Sequence, residues 1–320
     1  MSVTIALALY NPRADWLEAQ LRSVAAQTYR DIELIAVDDA SPAVPFARTE
    51  EVFAAVFAGS GVPYTLTRNG KNLGSDLTFA KLTERAGGDY ISYCDQDDIW
   101  LPPKTGQLLN ALKRTGAALA YSDLSVIDGG GRPVADSLRH VRRRLRHLQG
   151  GGLARGLLFR NFTNGTAMMM PTAAAKDALP FVTDMVADHW LTLWAAARGE
   201  IVYLPEPLVQ YRLHGSNQSA VMSGVADKES YLERRILTGL SRFRQFQTRL
   251  AGEPDLAGAI EGGLGWFEAR RRWFEESSGL RGLWKGRVWG KQVTLFELLA
   301  ARWPEPVFMA LVRLVQRGAL

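Results

Sequence analysis

Three aspartates, Asp95, Asp97 and Asp98, lie within four consecutive positions of the sequence. The residues before them, 89–94, are rich in β-branched and aromatic side chains and follow two glycines, which predicts a strand. Two prolines come shortly afterwards. Proline suits the first turn of a helix, because its φ is fixed and its missing N–H would be unpaired there. The order of strand, acidic loop and helix places the carboxylates at the carboxyl end of a strand, where open α/β sheets bind their ligands.

Carboxylates at this spacing repel one another unless a cation lies among them. Mg2+ and Mn2+ take oxygen ligands, and Mg2+ is commonly held by one or two carboxylates together with the phosphates of a substrate. We therefore expect a site for a divalent metal ion, Mn2+ or Mg2+, and a diphosphate. The alternative is a solvated acidic turn. The apolar strand before the loop, and Trp100 and the two prolines after it, argue against that alternative.

Polar residues also end two earlier predicted strands. The nearly continuous apolar run 3–10 ends at Tyr10 and Asn11, and the strand 32–37 is followed by a pair of acids that includes Asp39. Right-handed crossovers bring such strand ends to the same edge of a parallel sheet. The sequence has neither a dinucleotide-binding glycine fingerprint nor a P-loop motif, so a metal and side chains must meet the phosphate charge.

The alternation of strands and helices over the first 115 residues predicts βαβ units and a mainly parallel sheet. The predicted strands there are 3–10, 32–37, 64–67 and 89–94, and the predicted helices are 15–27, 50–58, 75–85 and 103–114. Further strands are predicted at 117–121, 124–127, 166–170, 201–204 and 208–211. After residue 219 the pattern indicates helices only, at 227–250, 255–276, 292–303 and 307–315. We therefore predict a domain of the α/β class over residues 1–219 and a helical region over residues 220–320.

Two further residues have types that could take part in chemistry. Asp188 lies in an apolar stretch with Trp190 and Trp194, and partial desolvation would raise its pKa and make it a better base near neutral pH. The alternative is a carboxylate placed at a helix N-terminus by the helix dipole. His214 could have a structural role, or it could bind a Mn2+-type ion through its neutral imidazole.

Charge is distributed unevenly along the chain. Residues 1–219 carry 22 Lys/Arg and 22 Asp/Glu, whereas residues 220–320 carry 16 and 11 and hold five of the nine tryptophans. Basic residues interleaved with tryptophan indicate a partner surface, either nucleic acid or an anionic membrane. The balanced charge of residues 1–219 argues against nucleic acid. The remaining alternatives are peripheral membrane contact through the C-terminal helices, oligomerisation, and a helical buttress for the first domain.

The segment 139–147 carries five arginines and two histidines. This pattern indicates either a solvated basic loop or helix face, or a flap over the phosphate of an acceptor or over phospholipid.

The cysteine content and the N-terminus bear on the compartment. Cys94 is the single cysteine, so it cannot form an intramolecular disulfide, which favours a reducing environment. The N-terminal residues lead into an apolar strand without the basic segment of a signal peptide. No apolar run approaches the roughly 18 residues that a membrane-spanning helix needs. We therefore expect a cytoplasmic protein, with the inner face of the cytoplasmic membrane as its alternative location.

Taken together, these motifs resemble the family 2 glycosyltransferases, which have a GT-A fold. The resemblance covers roughly residues 3–218. It depends on the segments SVAAQTY (23–29), IAVDDAS (35–41), NLG (72–74), YCDQDDIW (93–100) and YRLHGSN (211–217). The stretch from Asp95 to Trp100 is similar to the rhamnosyltransferase-like branch of the family, which builds bacterial surface polysaccharides.

The resemblance implies an inverting transfer from a nucleotide-diphosphate sugar, such as dTDP-rhamnose or a UDP-sugar. The acceptor would be a hydroxyl of a glycan or a lipid-linked glycan. Asp188 would be the general base, in a sequence Asp-His-Trp where the family has Asp-Trp-Trp-like residues. Asp95, Asp97 and His214 would bind the metal. The residues expected to contact the nucleotide sugar are Tyr10, Asn11, Asp39, Arg68, Asn72, Gly74, Asp95, Gln96 and Trp100, with Asp39 on the base and Tyr10 lining the nucleoside pocket.

Two other functions remain open at this point. A nucleotidyltransferase could also use a metal and a diphosphate at such an edge. A non-catalytic nucleotide-sugar-binding protein of polysaccharide assembly could share the fold.

Overall fold

The computed structural model describes residues 1–142, 145–214 and 224–316. The chain forms two compact units. The first comprises residues 1–181 and 185–214, and the second comprises residues 182–184 and 215–320. The predicted domain boundary near residue 220 lies outside the described residues, as do positions 143–144 of the basic segment and positions 215–217 of the YRLHGSN segment.

A nine-stranded sheet runs through the described part of the first unit, in the order β3-β2-β1-β4-β8-β6-β9-β5, with β7 beside β6. The strands are β1 (Val3–Leu9), β2 (Ile32–Asp38), β3 (Tyr64–Arg68), β4 (Tyr90–Cys94), β5 (Ile99–Trp100), β6 (Leu119–Ile127), β7 (Pro133–Ala135), β8 (Met168–Pro171) and β9 (Ile201–Arg212). The longer pairings, β1 with β2 and β4, β2 with β3, and β6 with β9, are parallel. Short antiparallel pairings join β4 to β8, β8 to β6, β6 to β7 and β9 to β5.

Helices flank this sheet. They are α1 (Ala14–Ala25), α2 (Phe46–Phe57), α3 (Ser75–Arg85), α4 (Lys104–Thr115), α5 (Leu138–Val141), α6 (Ala154–Leu157), α7 (Thr172–Asp177) and α8 (Ala187–Arg198), and a 3-10 turn lies at Gly165–Ala167. The predicted α/β class with a mainly parallel sheet is confirmed.

The central strands are buried on both faces, as their apolar sequences predict. In β1, residues such as Ile5 and Leu7 are fully buried, and the apolar side of α1, which includes Leu21, packs in the same core. Gly88 precedes β4 and lies so close to β1 that an added Cβ would be 2.8 Å from the backbone nitrogen of Thr4. The side-by-side pairing of β1 and β4 therefore requires glycine at this position.

Two pairs of short predicted strands are wrong, because each pair forms one longer strand. The predicted strands 117–121 and 124–127 are both part of β6, and 201–204 and 208–211 are both part of β9. Proline cannot donate to a ladder, so Pro205 and Pro207 argued for a break. The structure accommodates them by shifting the β6–β9 register: Ser122 pairs with Leu204, but Asp123 pairs with Pro207.

The described part of the second unit is helical, and the predicted C-terminal helices are confirmed. Its helices are α9 (Lys228–Tyr231), α10 (Thr238–Arg249), α11 (Pro254–Glu275), α12 (Leu280–Lys285), α13 (Lys291–Ala300) and α14 (Glu305–Gln316), with a π-helical turn at Leu232–Leu237 and a 3-10 turn at Gly286–Val288. Tyr231, Ile236, Phe308 and Val312 form the centre of one of its apolar clusters. Within the described ranges, no helix is long and apolar enough to cross a bilayer.

A buried ion pair joins α11 and α13 in this unit. The guanidinium of Arg270 donates to both carboxylate oxygens of Glu297, at 2.6 to 3.1 Å, and the hydroxyl of Tyr231 donates to the same carboxylate at 2.8 Å. Both charged side chains are buried. A buried charge without its partner is strongly destabilising, whereas the intact pair offsets its own desolvation.

We therefore expect Glu297→Gln to lower the free energy of unfolding by about 3 kcal/mol, because the charge of Arg270 would remain buried without a counter-ion. Urea unfolding followed by circular dichroism measures this loss. The matched control is Glu275→Gln, which removes the partly exposed pair with Arg271 and should cost less than about 1 kcal/mol. Equal losses in the two variants would contradict this explanation.

Candidate active site

The carboxyl ends of the parallel strands place the predicted polar residues along one edge of the sheet. In the strand registers, Leu9 of β1 pairs with Asp38 of β2, and Asp38 pairs with Arg68 of β3. Cys94, the last residue of β4, pairs with Leu7 of β1, so the acidic loop begins at this same edge. The convergence predicted from the sequence is present in the structure.

The acidic loop is anchored at its far end by Trp100. This side chain is only 1% exposed, and its indole N–H donates to Oγ1 of Thr166 at 3.1 Å. Its backbone N–H donates to Oγ of Ser23 at 3.0 Å, and the ammonium of Lys104 lies 3.2 Å from the centre of its ring. Trp100 was predicted to contact the nucleotide sugar, but the structure places it in the core beneath the loop. Its contacts fix the position of the loop.

Asp98 is the innermost of the three acids. It is fully buried, and one carboxylate oxygen accepts a hydrogen bond from the backbone N–H of Arg212 at 2.9 Å. Burial, followed by the charges of Asp95 and Asp97, raises the pKa of Asp98 well above its ordinary value. Arg212 also donates through Nε to the backbone carbonyl of Asp97 at 2.8 Å. Arg212 thus ties the loop to the end of β9, a role that the sequence did not indicate.

Lys104 lies beneath the same loop. Its ammonium is fully buried and donates to Oγ of Ser92 on β4 at 3.0 Å. Burial lowers the pKa of Lys104 to about 7, although Cys94 and Asp98 act in the opposite direction. This second unpredicted residue brings a basic group near the buried acid Asp98.

Asp97 and His214, two of the three predicted metal ligands, lie in contact. Nε2 of His214 is 2.7 Å from Oδ2 of Asp97, and both side chains are largely buried. The imidazole also packs against the ring of Trp16, with the ring centres 4.8 Å apart. Burial, followed by the negative charges of Asp97 and Asp188, raises the pKa of Asp95 to about 7. The structure therefore brings Asp95, Asp97 and Asp188 into one electrostatic environment.

The side chains at this edge are of types that bind a hard or borderline divalent metal ion. Two carboxylates and a neutral imidazole are ligands that Mn2+ accepts, and carboxylates with phosphate oxygens are typical of Mg2+. Among the described residues, however, no three acid, histidine or cysteine side chains are already gathered as a ligand set. The residues at this edge have the chemical types that such an ion binds. Asp97 and His214 already place an oxygen and a nitrogen ligand 2.7 Å apart.

Asp188 lies in the first turn of α8, as the helix N-terminus interpretation expects, and its role as a base stays a prediction. Its Oδ1 accepts a hydrogen bond from Nδ2 of Asn161 at 3.2 Å, and its Oδ2 accepts one from the backbone N–H of Gly165 at 3.0 Å. Burial raises the pKa of Asp188 to about 6, with the backbone N–H groups of Gly165 and His189 opposing the shift and the charge of Asp76 adding to it. A carboxylate with this pKa is ionised at neutral pH and can still accept a proton.

The two residues after Asp188 face other parts of the fold. Nε2 of His189 lies 2.6 Å from the backbone carbonyl of Leu157, and the indole N–H of Trp190 donates to the carbonyl of Ala178 at 2.9 Å. Both side chains are buried. His189, where the family resemblance led us to expect a tryptophan, is therefore a buried packing residue.

Asp39 organises the loop before α3. Its buried carboxylate accepts hydrogen bonds from Nδ2 of Asn69 and from the backbone N–H groups of Leu73 and Gly74, each at 2.8 Å. Gly74 has a φ of +83°, which favours glycine at this turn. Asn72 accepts from the same Gly74 N–H at 3.1 Å. The contact of Asp39 with a base stays a prediction, and Asn69 is a partner that the sequence did not indicate.

The remaining residues predicted to contact the nucleotide sugar lie at the ends of β1 and β3 and in the acidic loop after β4. The side-chain amide of Gln96 is bonded to the backbone N–H and C=O of Tyr10, at 2.9 and 3.1 Å, while the side chain of Tyr10 is 46% exposed. The backbone N–H of Asn11 donates to Oγ of Ser41 at 2.8 Å, and Arg68 donates to the carbonyl of Ser41 at 2.8 Å. Tyr10 therefore offers an exposed ring, and the other residues hold the loops around it.

Comparisons with known proteins agree with this fold. Residues 4–176 match the protein family described as Glycosyl transferase family 2. A Nostoc sp. protein described as an uncharacterized glycosyltransferase is 24% identical over 246 residues, which are 72% of this chain and 70% of the relative. A Rickettsia conorii protein with the same description is 26% identical over 263 residues, which are 79% of this chain but only 41% of the relative.

A solved structure is similar over most of the chain. Staphylococcus aureus TarS 1-349, in complex with UDP-GlcNAc, aligns with a TM-score of 0.60 at 14% sequence identity, over 92% of this chain and 83% of that chain. At this identity the likeness shows the fold alone. It confirms the predicted GT-A fold.

Replacing Asp188 with Asn should change how stability depends on pH. The ordinary pKa is 3.8 and the folded value is about 6, so the folded state holds this proton more tightly between those values. As the pH rises through this interval, the free energy of unfolding of the wild type should fall by roughly 2 kcal/mol relative to that of Asp188→Asn. Above the interval the difference between the two proteins should stay constant. Urea unfolding at about pH 4 and about pH 8 measures the change. The control is Glu84→Gln, an exposed acid on α3. A difference between wild type and Asp188→Asn that is the same at both pH values would contradict a desolvated carboxylate.

Proposed function

Because the chain belongs to glycosyl transferase family 2, we propose that it is an inverting glycosyltransferase that uses a nucleotide-diphosphate sugar. The observation that carries this proposal is the position of Asp188 beside the acidic loop at the sheet edge: its carboxylate accepts from the N–H of Gly165, and the next residue, Thr166, accepts from the indole of Trp100 at the end of that loop. One part of that edge has the acids and the imidazole suited to a metal-bound diphosphate. The other has a carboxylate with the pKa of a general base.

The reaction would be a single displacement at the anomeric carbon. Asp188 accepts the proton of an acceptor hydroxyl, whose oxygen forms a bond to C1 of the sugar as the bond from C1 to the diphosphate oxygen breaks. The leaving nucleoside diphosphate departs from the opposite face, which inverts the configuration. Asn161 and the backbone N–H of Gly165 hold the Asp188 carboxylate in one orientation, and a fixed orientation of base and acceptor contributes to the rate.

A divalent ion, Mn2+ or Mg2+, would be held by Asp97 and His214, with Asp95 as a further ligand. When bound, such an ion neutralises charge that develops on the leaving diphosphate. The 2.7 Å contact between Asp97 and His214 supports this assignment, because it already places an oxygen and a nitrogen donor together. The raised pKa of Asp95 supports it as well, since a nearby cation would relieve the repulsion from Asp97.

The donor nucleoside would lie along the ends of β1 to β3. The exposed ring of Tyr10 would line its pocket, and the loops held by Asn11, Arg68, Asn72 and Gly74 would surround it. UDP-sugars are one candidate class, because TarS in its similar fold holds UDP-GlcNAc. dTDP-rhamnose is another, from the likeness of the Asp95–Trp100 segment to rhamnosyltransferases. The acceptor would be a glycan or lipid-linked glycan of a cell-surface polysaccharide.

We expect Asp188→Asn to lower kcat for transfer on the order of 1,000-fold, because the amide cannot accept the proton of the acceptor. Nucleotide binding should be unchanged, since the contacts with the metal and with the nucleobase are assigned to other residues. We would measure transfer to a glycan acceptor in an activity assay and the binding of UDP by calorimetry. The matched control is Glu84→Gln, which should behave as the wild type in both. The wild-type rate should rise with pH through about 6. Full transfer by Asp188→Asn would remove this residue from the base role.

We also expect Mn2+ to raise the thermal stability of the protein in the presence of a nucleotide diphosphate. At a hundredfold excess over Kd, a ligand specific for the folded state contributes about 2.7 kcal/mol. Asp97→Asn and His214→Gln should each lose most of this stabilisation, because each removes one metal ligand. Asp31→Asn, an exposed acid at the other end of the sheet, should retain it. Stabilisation by Mn2+ that survives in both site variants would contradict the assigned ligands.

A further inference from the structure

Two groups of exposed apolar side chains lie in the second unit, and we name them the C-terminal apolar stripes. Their members are Leu280, Trp284 and Val288 in the first stripe and Leu295, Leu299 and Trp303 in the second. Leu280 and Trp284 lie about one helical turn apart on α12, as do Leu295 and Leu299 on α13, while Val288 ends the 3-10 turn after α12 and Trp303 follows α13. Val288 is 74% exposed, Leu299 is 62% exposed and Trp284 is 49% exposed. Exposure of this degree at regular spacing is typical of a contact surface.

The exposed leucines of α13 are distinct from the side chains that pack this helix inside the unit. Its buried residues are Thr294, Glu297 and Ala300, which include a hydroxyl bonded to the indole of Trp266 and the carboxylate paired with Arg270. Phe296 of the same helix packs against the rings of Tyr231 and Phe308. Leu295 and Leu299 are left exposed on a helix that is anchored through its other residues.

The exposed charge within residues 280–303 is entirely positive. All residues from 280 to 303 are described by the structure, and the single carboxylate among them, Glu297, is buried in its ion pair. The basic residues of this segment are Arg281, Lys285, Arg287, Lys291 and Arg302. The guanidinium of Arg287 lies 4.5 Å from the ring centre of Trp284, so cations and apolar side chains are interleaved.

We propose that the C-terminal apolar stripes bind the surface of a lipid bilayer that contains anionic headgroups. Tryptophan and leucine side chains enter the boundary between headgroups and acyl chains, while arginine and lysine contact the lipid phosphates. A second copy of this chain fits less well, because its own stripes would bring the same positive charge into the contact. Membrane binding does not depend on the proposed transfer reaction and is tested without it.

The test is co-sedimentation of the full chain with vesicles of phosphatidylcholine alone and of phosphatidylcholine mixed with phosphatidylglycerol. The wild type should bind the mixed vesicles and lose binding as salt is added. The triple variant Arg281→Gln/Lys285→Gln/Lys291→Gln should partition on the order of 100-fold less, at about fivefold per basic residue. Val288→Ser and Leu299→Ser should each lower partitioning about tenfold, because each removes an apolar side chain from the interface.

Matched controls come from exposed residues of the first unit. Lys113→Gln/Arg114→Gln on α4 removes two exposed cations, and Val134→Ser removes an exposed apolar residue of β7. Both variants should bind vesicles as the wild type does. Equal losses in control and stripe variants, or no preference of the wild type for anionic vesicles, would overturn the proposal. So would self-association in sedimentation velocity that the Val288→Ser and Leu299→Ser variants abolish, because the stripes would then belong to a contact between copies.

Discussion

Repulsion among carboxylates gathered at one edge of the sheet is the constraint on which the rest of this structure depends. Burial, followed by the charges of neighbouring aspartates, raises the pKa values of Asp95 and Asp98, so each further negative charge here adds to the cost of desolvation. The fold limits this cost in several ways. Asp98 accepts a backbone N–H and shares the buried region with Lys104, Asp97 contacts His214, and Asp188 is held by Asn161 and Gly165. In the proposed reaction, a cation would neutralise Asp95 and Asp97, and the proton of the acceptor would neutralise Asp188.

This arrangement separates residues that hold the site from residues that face it. Trp100, Arg212 and Lys104 are buried and fix the acidic loop from beneath, and Asp39 fixes the loop before α3 through its three hydrogen bonds. Asp97, Asp188 and Tyr10 remain partly accessible on the same edge. Preorganisation of this kind means that a donor would meet groups already oriented, with little rearrangement on binding.

The sequence predicted the sheet and its polar edge because apolar runs identify buried parallel strands and such strands end at a common edge. It could not show which side of the acidic loop faces the core, since that depends on the pairing of Ile99 in β5 with Gln210 in β9, residues far apart in the chain. The prolines at 205 and 207 argued for two strands, and only the register shift against β6 shows how one strand accommodates them. The contacts of Arg212, Asn161 and Lys104 join residues far apart in the chain, so they follow from tertiary packing.

The proposed function requires this edge to bind the diphosphate of a sugar donor and to direct an acceptor hydroxyl at its anomeric carbon. The most direct test is to supply Mn2+, a panel of nucleotide sugars that includes UDP-GlcNAc and dTDP-rhamnose, and glycan acceptors, and to identify the products. The account predicts a free nucleoside diphosphate and a new glycosidic bond of inverted configuration. Release of pyrophosphate, which marks nucleotidyl transfer, or donor binding without turnover on any acceptor, would contradict it.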